Sequence, residues 1–87
     1  MDQLDLFPVA VHLRRIDPER NMHRFYRLGL QPDLFGGCTL VREWGRIGSG
    51  GNLRFDSYPD EGRAVDALLA LATAKGRRGY TLKPRIK

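Results

Sequence analysis

Apolar and polar residues alternate along the first half of the chain with the period of two that a half-buried β-strand imposes. Val9, Val11 and Leu13 share one parity against Ala10, His12 and Arg14. A second run extends from Met22 to Gln31, with Tyr26, Leu28 and Leu30 opposed to Phe25, Arg27 and Gly29. In a third, Thr39 to Ile47, Val41 and Ile47 oppose Arg42, Trp44 and Arg46; in a fourth, Leu53 to Tyr58, Leu53 and Phe55 oppose Arg54 and Asp56. The breaks between runs are turn chemistry: Asp17-Pro18-Glu19-Arg20-Asn21, then Pro32-Asp33 with Gly36-Gly37, then Gly48-Ser49-Gly50-Gly51-Asn52. Consecutive strands joined by such turns predict an antiparallel meander.

The period then changes. Ala64, Val65, Leu68, Leu69, Leu71 and Ala72 recur at three- and four-residue spacing, which predicts one amphipathic helix running to Lys75. Asp60 is placed to cap its N-terminus, and Gly76 is expected to close it as the C′ glycine. Tyr80 to Lys87 reads as a short edge strand whose pairing Pro84 limits. Residues up to Pro8 read as an arm, able to lay Leu4, Leu6 and Phe7 on the sheet. The expected fold class is α+β, an antiparallel sheet of four to five strands with one main helix packed on one face. The other face is left to solvent or a ligand. At 87 residues there is room for one hydrophobic core, so a single domain over 1–87 is expected, with its core in 9–80.

Composition narrows the function. A 41% hydrophobic and 29% charged chain is that of a folded soluble domain. No stretch approaches the roughly 18 apolar residues of a membrane span, and the N-terminus lacks the basic start of a secretion signal. A cytosolic protein is expected, nucleoid-associated if it binds DNA. Cys38 is the only cysteine, so an internal disulfide and a cysteine-rich zinc site are excluded, and no spacing joins it to His12 or His23 for thiol chemistry. No His, Asp or Glu cluster has catalytic or ligand spacing, so neither an enzyme nor a metal or cofactor is expected. The net charge of +5 is placed unevenly: after Asp66 there is no acid against Lys75, Arg77, Arg78, Lys83, Arg85 and Lys87. Such asymmetry points to a polyanionic partner.

With the apolar parity taken as inward, Arg14, Arg27, Arg42, Arg46 and Arg54 project outward together with Phe25 and Trp44. Guanidinium forks suit phosphate oxygens, and flat rings suit the stacking of a base or sugar. A solvated face shielded by long arginines is the bland alternative, as is a Trp44 packed beneath Phe7. Trp44-Gly45-Arg46 sharpens the signal, because side chains at i and i+2 on a strand stand side by side and Gly45 adds no bulk on the opposite face. Glu43 beside them is expected to pair with Arg54 or Arg24.

These residues resemble the WGR domain family, named for the tripeptide found here at 44–46. The resemblance also draws on Asn21 to Leu28, on Leu40 to Gly48, on Ala64, on Lys75 and on Gly79-Tyr80, so it covers Val9 to Tyr80. It implies a central antiparallel sheet flanked by one helix. In poly(ADP-ribose) polymerases the similar domain binds DNA breaks; carried over by motif position, Trp44 would stack on a strand end and Arg46 would contact the backbone or a neighbouring domain. Arg42 would add a supporting backbone contact. The zinc fingers and transferase domain of those enzymes have no room here, and stand-alone bacterial versions also exist, so no transferase activity is implied. The resulting expectation is a module that binds DNA ends, nicks or junctions, RNA being equally compatible with the residues. The alternative is an adaptor that joins a larger repair or regulatory protein assembly.

Overall fold

The computed structural model describes residues 9–82. Four long strands, β1 (Val9–Asp17), β2 (Met22–Pro32), β3 (Cys38–Arg46) and β4 (Asn52–Tyr58), follow one another as an antiparallel meander. The helix α1 (Glu61–Arg77) then carries the chain to the far edge, where β5 (Thr81–Leu82) pairs with β1. The sheet order is therefore β4-β3-β2-β1-β5. The expected arm with Leu4, Leu6 and Phe7, and the tail from Lys83 to Lys87 with Pro84, lie outside the described residues.

Local chemistry sets the connections. Between β1 and β2 a 3-10 turn, Pro18–Arg20, ends on Asn21 at φ 53°, the left-handed conformation that asparagine tolerates better than most residues. In the β2–β3 loop the Asp33 carboxylate accepts hydrogen bonds from the backbone N–H groups of Phe35 (2.7 Å) and Gly37 (2.9 Å). That turn presents Leu34 and Phe35 at 96% and 94% exposure.

The side chain of Asp60 caps α1 by accepting from the Arg63 N–H at 2.8 Å. The other end departs from expectation: the helix runs on through Gly76, and Gly79, at φ +94°, makes the left-handed exit. The Gly79 N–H reaches the Gly76 carbonyl and the Tyr80 N–H the Lys75 carbonyl, both at 3.1 Å, which is the Schellman closure. Closing at Gly79 lets the core-facing series Ala64, Leu68, Leu71 gain one more member, Lys75, and sets Tyr80 beside it.

The core lies between α1 and one face of the sheet: Leu13, Tyr26, Leu28, Leu30, Cys38 and Leu40 against Ala64 and Leu68. Leu28, Leu30 and Leu40 are fully enclosed, each contributing roughly 1.5–3 kcal/mol of burial. Leu69 falls off the stripe and is 56% exposed.

The expected side assignment holds for β1 and β2 and is reversed for β3 and β4. Leu30 stands opposite Leu40 and Leu28 opposite Arg42, so Arg42, Trp44 and Arg46 share the face of α1, whereas Val41 and Glu43 point to the helix-free side. Likewise Arg54 pairs with Arg42 and Phe55 with Val41. The apolar residues of β3 occupy both parities, and its helix-facing ones, Cys38 and Leu40, lie at one end of the strand. The same parity turns polar from Arg42 onward, toward the other end.

Candidate nucleic-acid interface

Register arranges the helix-bearing face into rows that cross the strands. Arg15 stands opposite Arg24, and Arg24 opposite Arg46, so β1, β2 and β3 present three arginines in line. Adjacent strands are about 4.8 Å apart, and directly opposed like charges destabilise a strand pair. Among the described residues none of the three has a carboxylate partner. Arg46 instead donates to the backbone and side-chain oxygens of Asn21, at 3.2 and 3.3 Å. Asn21 thus closes the first turn and aims the guanidinium of the 44–46 motif.

The next row is aromatic. Tyr26 stands opposite Trp44, their rings stacked at 6.0 Å with 19° between planes, and Tyr80 meets Tyr26 edge-on at 6.3 Å. Tyr26 is buried, and Trp44, packed against the core, is partly buried. Lys75, delivered by the last turn of α1, places its ammonium 4.4 Å from the Tyr26 ring centre and 5.5 Å from that of Tyr80. Partial burial, and then the positive charges of Arg78, Arg42 and Arg24, push the Lys75 pKa below the usual lysine value. The neighbouring cations thus add to burial in disfavouring its charge.

A third row holds Arg42 and Arg54 side by side. Asp56 separates them, accepting from Arg42 at 2.6 Å and from Arg54 at 3.1 Å. Burial alone would raise the pKa of Asp56, but the hydrogen bonds and charges of Arg42 and Arg54 outweigh it and hold the carboxyl below its ordinary range. Burial also works against the charge of Arg42, and the Tyr26 hydroxyl and Asp56 more than compensate. Arg42 is thus committed beneath the aromatic row, while Arg54 remains 61% exposed.

The remaining expected residues sit elsewhere. Arg14, Phe25 and Arg27 lie on the helix-free side, where the Arg27 guanidinium packs 4.5 Å from the Phe25 ring and donates to Glu43 at 3.0 Å. Glu43 therefore pairs with Arg27 rather than Arg54 or Arg24, because it stands directly across from Arg27. Gly45 serves that same side: a methyl there would lie 3.1 Å from the Gly51 Cα and 3.4 Å from the Phe25 ring. At Gly51 a methyl would meet the Phe25 ring and the Trp44 carbonyl oxygen, each at 2.9 Å. Gly51→Ala is expected to displace the Trp44 backbone and to cost about 1–3 kcal/mol in a denaturant titration. Cys38 is enclosed in the core; burial, then Glu61 and Asp33, push its thiol pKa up, so it is poorly disposed to act as a nucleophile.

Sequence parity missed Arg15, Arg24, Lys75 and Arg78. The signal for two of them was available in the hairpin register: a strand pair folded about residues 17–22 puts Arg15 across from Arg24.

The WGR domain profile matches residues 9–87, a span that contains every one of these rows. The chain belongs to the WGR domain family. WGR domains are nucleic-acid-binding modules rather than catalysts. This WGR domain is 39% identical, over 79 residues, to the uncharacterized protein y4dW of Sinorhizobium fredii; the match takes in 91% of this chain and 39% of that protein. It thus corresponds to about two fifths of its relative's length. No solved structure matches it. Among the described residues no helix is long and apolar enough to cross a membrane.

Proposed function

We propose that this WGR domain binds DNA at ends, nicks or junctions, using the partly exposed Trp44 as the stacking surface and the arginine row as the phosphate track. The observation that carries the reading is the line Arg15, Arg24, Arg46 beside the partly exposed Trp44. Opposed guanidinium groups without carboxylates weaken a fold and strengthen its hold on a polyanion. Arg46, oriented by Asn21, takes the phosphate nearest the stacked residue, with Arg54 beyond it. Arg42 acts from below, as a fixed charge that supports the platform. Arg27 belongs to the opposite side and takes no part, and Gly45 acts by letting Phe25 and the β3–β4 loop close beneath the motif. A terminal nucleotide offers a free face to Trp44 without the unstacking that an internal one requires.

A titration of blunt, nicked and covalently closed duplex tests the reading. Tighter binding to the first two, with quenching of the single tryptophan, is expected; equal affinity for all three forms would sink the end preference. Single-stranded RNA in the same series separates a general strand binder from one selective for DNA.

Lys75 adds a pH signature. Its depressed pKa must rise when phosphate enters the cluster, so binding takes up a proton in the window between the free and bound values. Affinity is therefore expected to fall as pH rises through that window. Calorimetry in buffers of different ionisation enthalpy reads the uptake directly, and Lys75→Gln should remove it and lower the salt slope by about 0.9.

A further inference from the structure

Strand β4 ends the sheet, and among the described residues nothing pairs with its outer edge. Long, apolar edges of this kind are templates for another strand, and proteins blunt them with charge, proline or a bulge. Here the edge carries Leu53 and Phe55, 53% and 64% exposed, on the helix-free side, and Arg54 and Asp56 on the other. The seven residues Asn52–Tyr58 are centred on Phe55, with Arg54 and Asp56 placed symmetrically about it.

We infer that β4 pairs antiparallel with β4 of a second copy of this chain, about a two-fold axis through Phe55, to form a continuous ten-stranded sheet. In that register each Arg54 stands opposite Asp56 of the other copy, Phe55 stands opposite Phe55, Leu53 faces Ser57 and Asn52 faces Tyr58. Opposite charges and facing aromatic rings are the favourable cross-strand pairs. Sliding by one pleat in either direction puts Arg54 against Arg54 or Asp56 against Asp56, so the charges select one register. A two-fold axis normal to the sheet is also the geometry of a closed dimer, which leaves no further β4 edge for a third copy. The Arg15, Arg24 and Arg46 row of each copy lies away from the seam, with only Arg54 taken into it, so the pairing does not depend on the nucleic-acid reading.

A seven-residue seam lies at the small end of specific interfaces, which places dissociation in the micromolar range. Sedimentation equilibrium of the full chain, from about 5 to 500 μM, should show the mass rising from 9.9 kDa towards twice that value. Phe55→Lys sets two ammonium groups face to face at an exposed position and should leave a folded monomer, checked by circular dichroism, with the association weakened at least tenfold. Oxidised Phe55→Cys should yield a covalent dimer, and Arg63→Cys, on the exposed start of α1, should not. A mass of one chain at every concentration overturns the inference. So does association that Phe55→Lys leaves unchanged, or a Phe55→Cys chain that cross-links no better than the control.

Discussion

Trp44→Ala is expected to weaken binding to a nicked or blunt-ended duplex by about 1–3 kcal/mol, roughly 5- to 150-fold. The ring has two roles that must be separated. It packs on Tyr26 and the core and is only partly exposed. Truncation therefore also leaves Tyr26 without its stacking partner and lowers stability by about 2–3 kcal/mol, less than the loss of a fully buried ring. Trp44→Leu keeps most of the contact with the core and removes the stacking surface. A leucine variant that melts near the parent yet binds as weakly as the alanine variant identifies stacking as the source of affinity. Parental affinity in the leucine variant would exclude it.

The second large effect is expected at Asp56. Among the described residues its carboxylate is the only acid hydrogen-bonded to Arg42, whose side chain is 17% exposed and whose Nε is buried without a partner. Asp56→Ala leaves that guanidinium uncompensated and is expected to cost about 2–4 kcal/mol, somewhat below the loss for a wholly buried pair. Arg42→Met in the same background should recover part of the loss, since an apolar side chain needs no counter-charge. Additivity of the two substitutions in a denaturant titration would mean that the pair does not act as a unit.

The pH dependence of the Asp56 pair has a definite sign. The folded-state pKa lies below the unfolded value of about 3.9, so the contribution is complete above about pH 4 and is lost as pH falls through the folded-state value. In Asp56→Asn the acid limb attributable to this group should vanish from a stability-against-pH profile. An unchanged limb would assign acid sensitivity to other carboxylates.

Much of the architecture was legible in local pattern. Strand positions, the turn at 17–21, the glycine loop before β4 and the Asp60 cap all follow from alternation, helical spacing and residues with strong backbone preferences. The helix end was misplaced because Gly76 and Gly79 both qualify as exits on composition. Only the need to bring Tyr80 and Lys75 onto Tyr26 separates them. The sides of β3 were misjudged for a related reason: Val41 and Ile47 outvoted Cys38 and Leu40 when the strand was read alone, although the latter pair lie under α1.

The family motif was likewise readable, since Trp44, Gly45 and Arg46 are neighbours in the chain, but what stands around them was not. Residues determine on their own which segments extend or coil, because those preferences act within a few bonds. Which cations share a face depends on how strands slide past one another and how far the helix reaches across them. That alignment joined Arg15, Arg24 and Arg46, turned Arg27 away, and set Lys75 above an aromatic ring. Long-range register is fixed by burial of the whole core, a collective quantity that no short stretch of sequence contains.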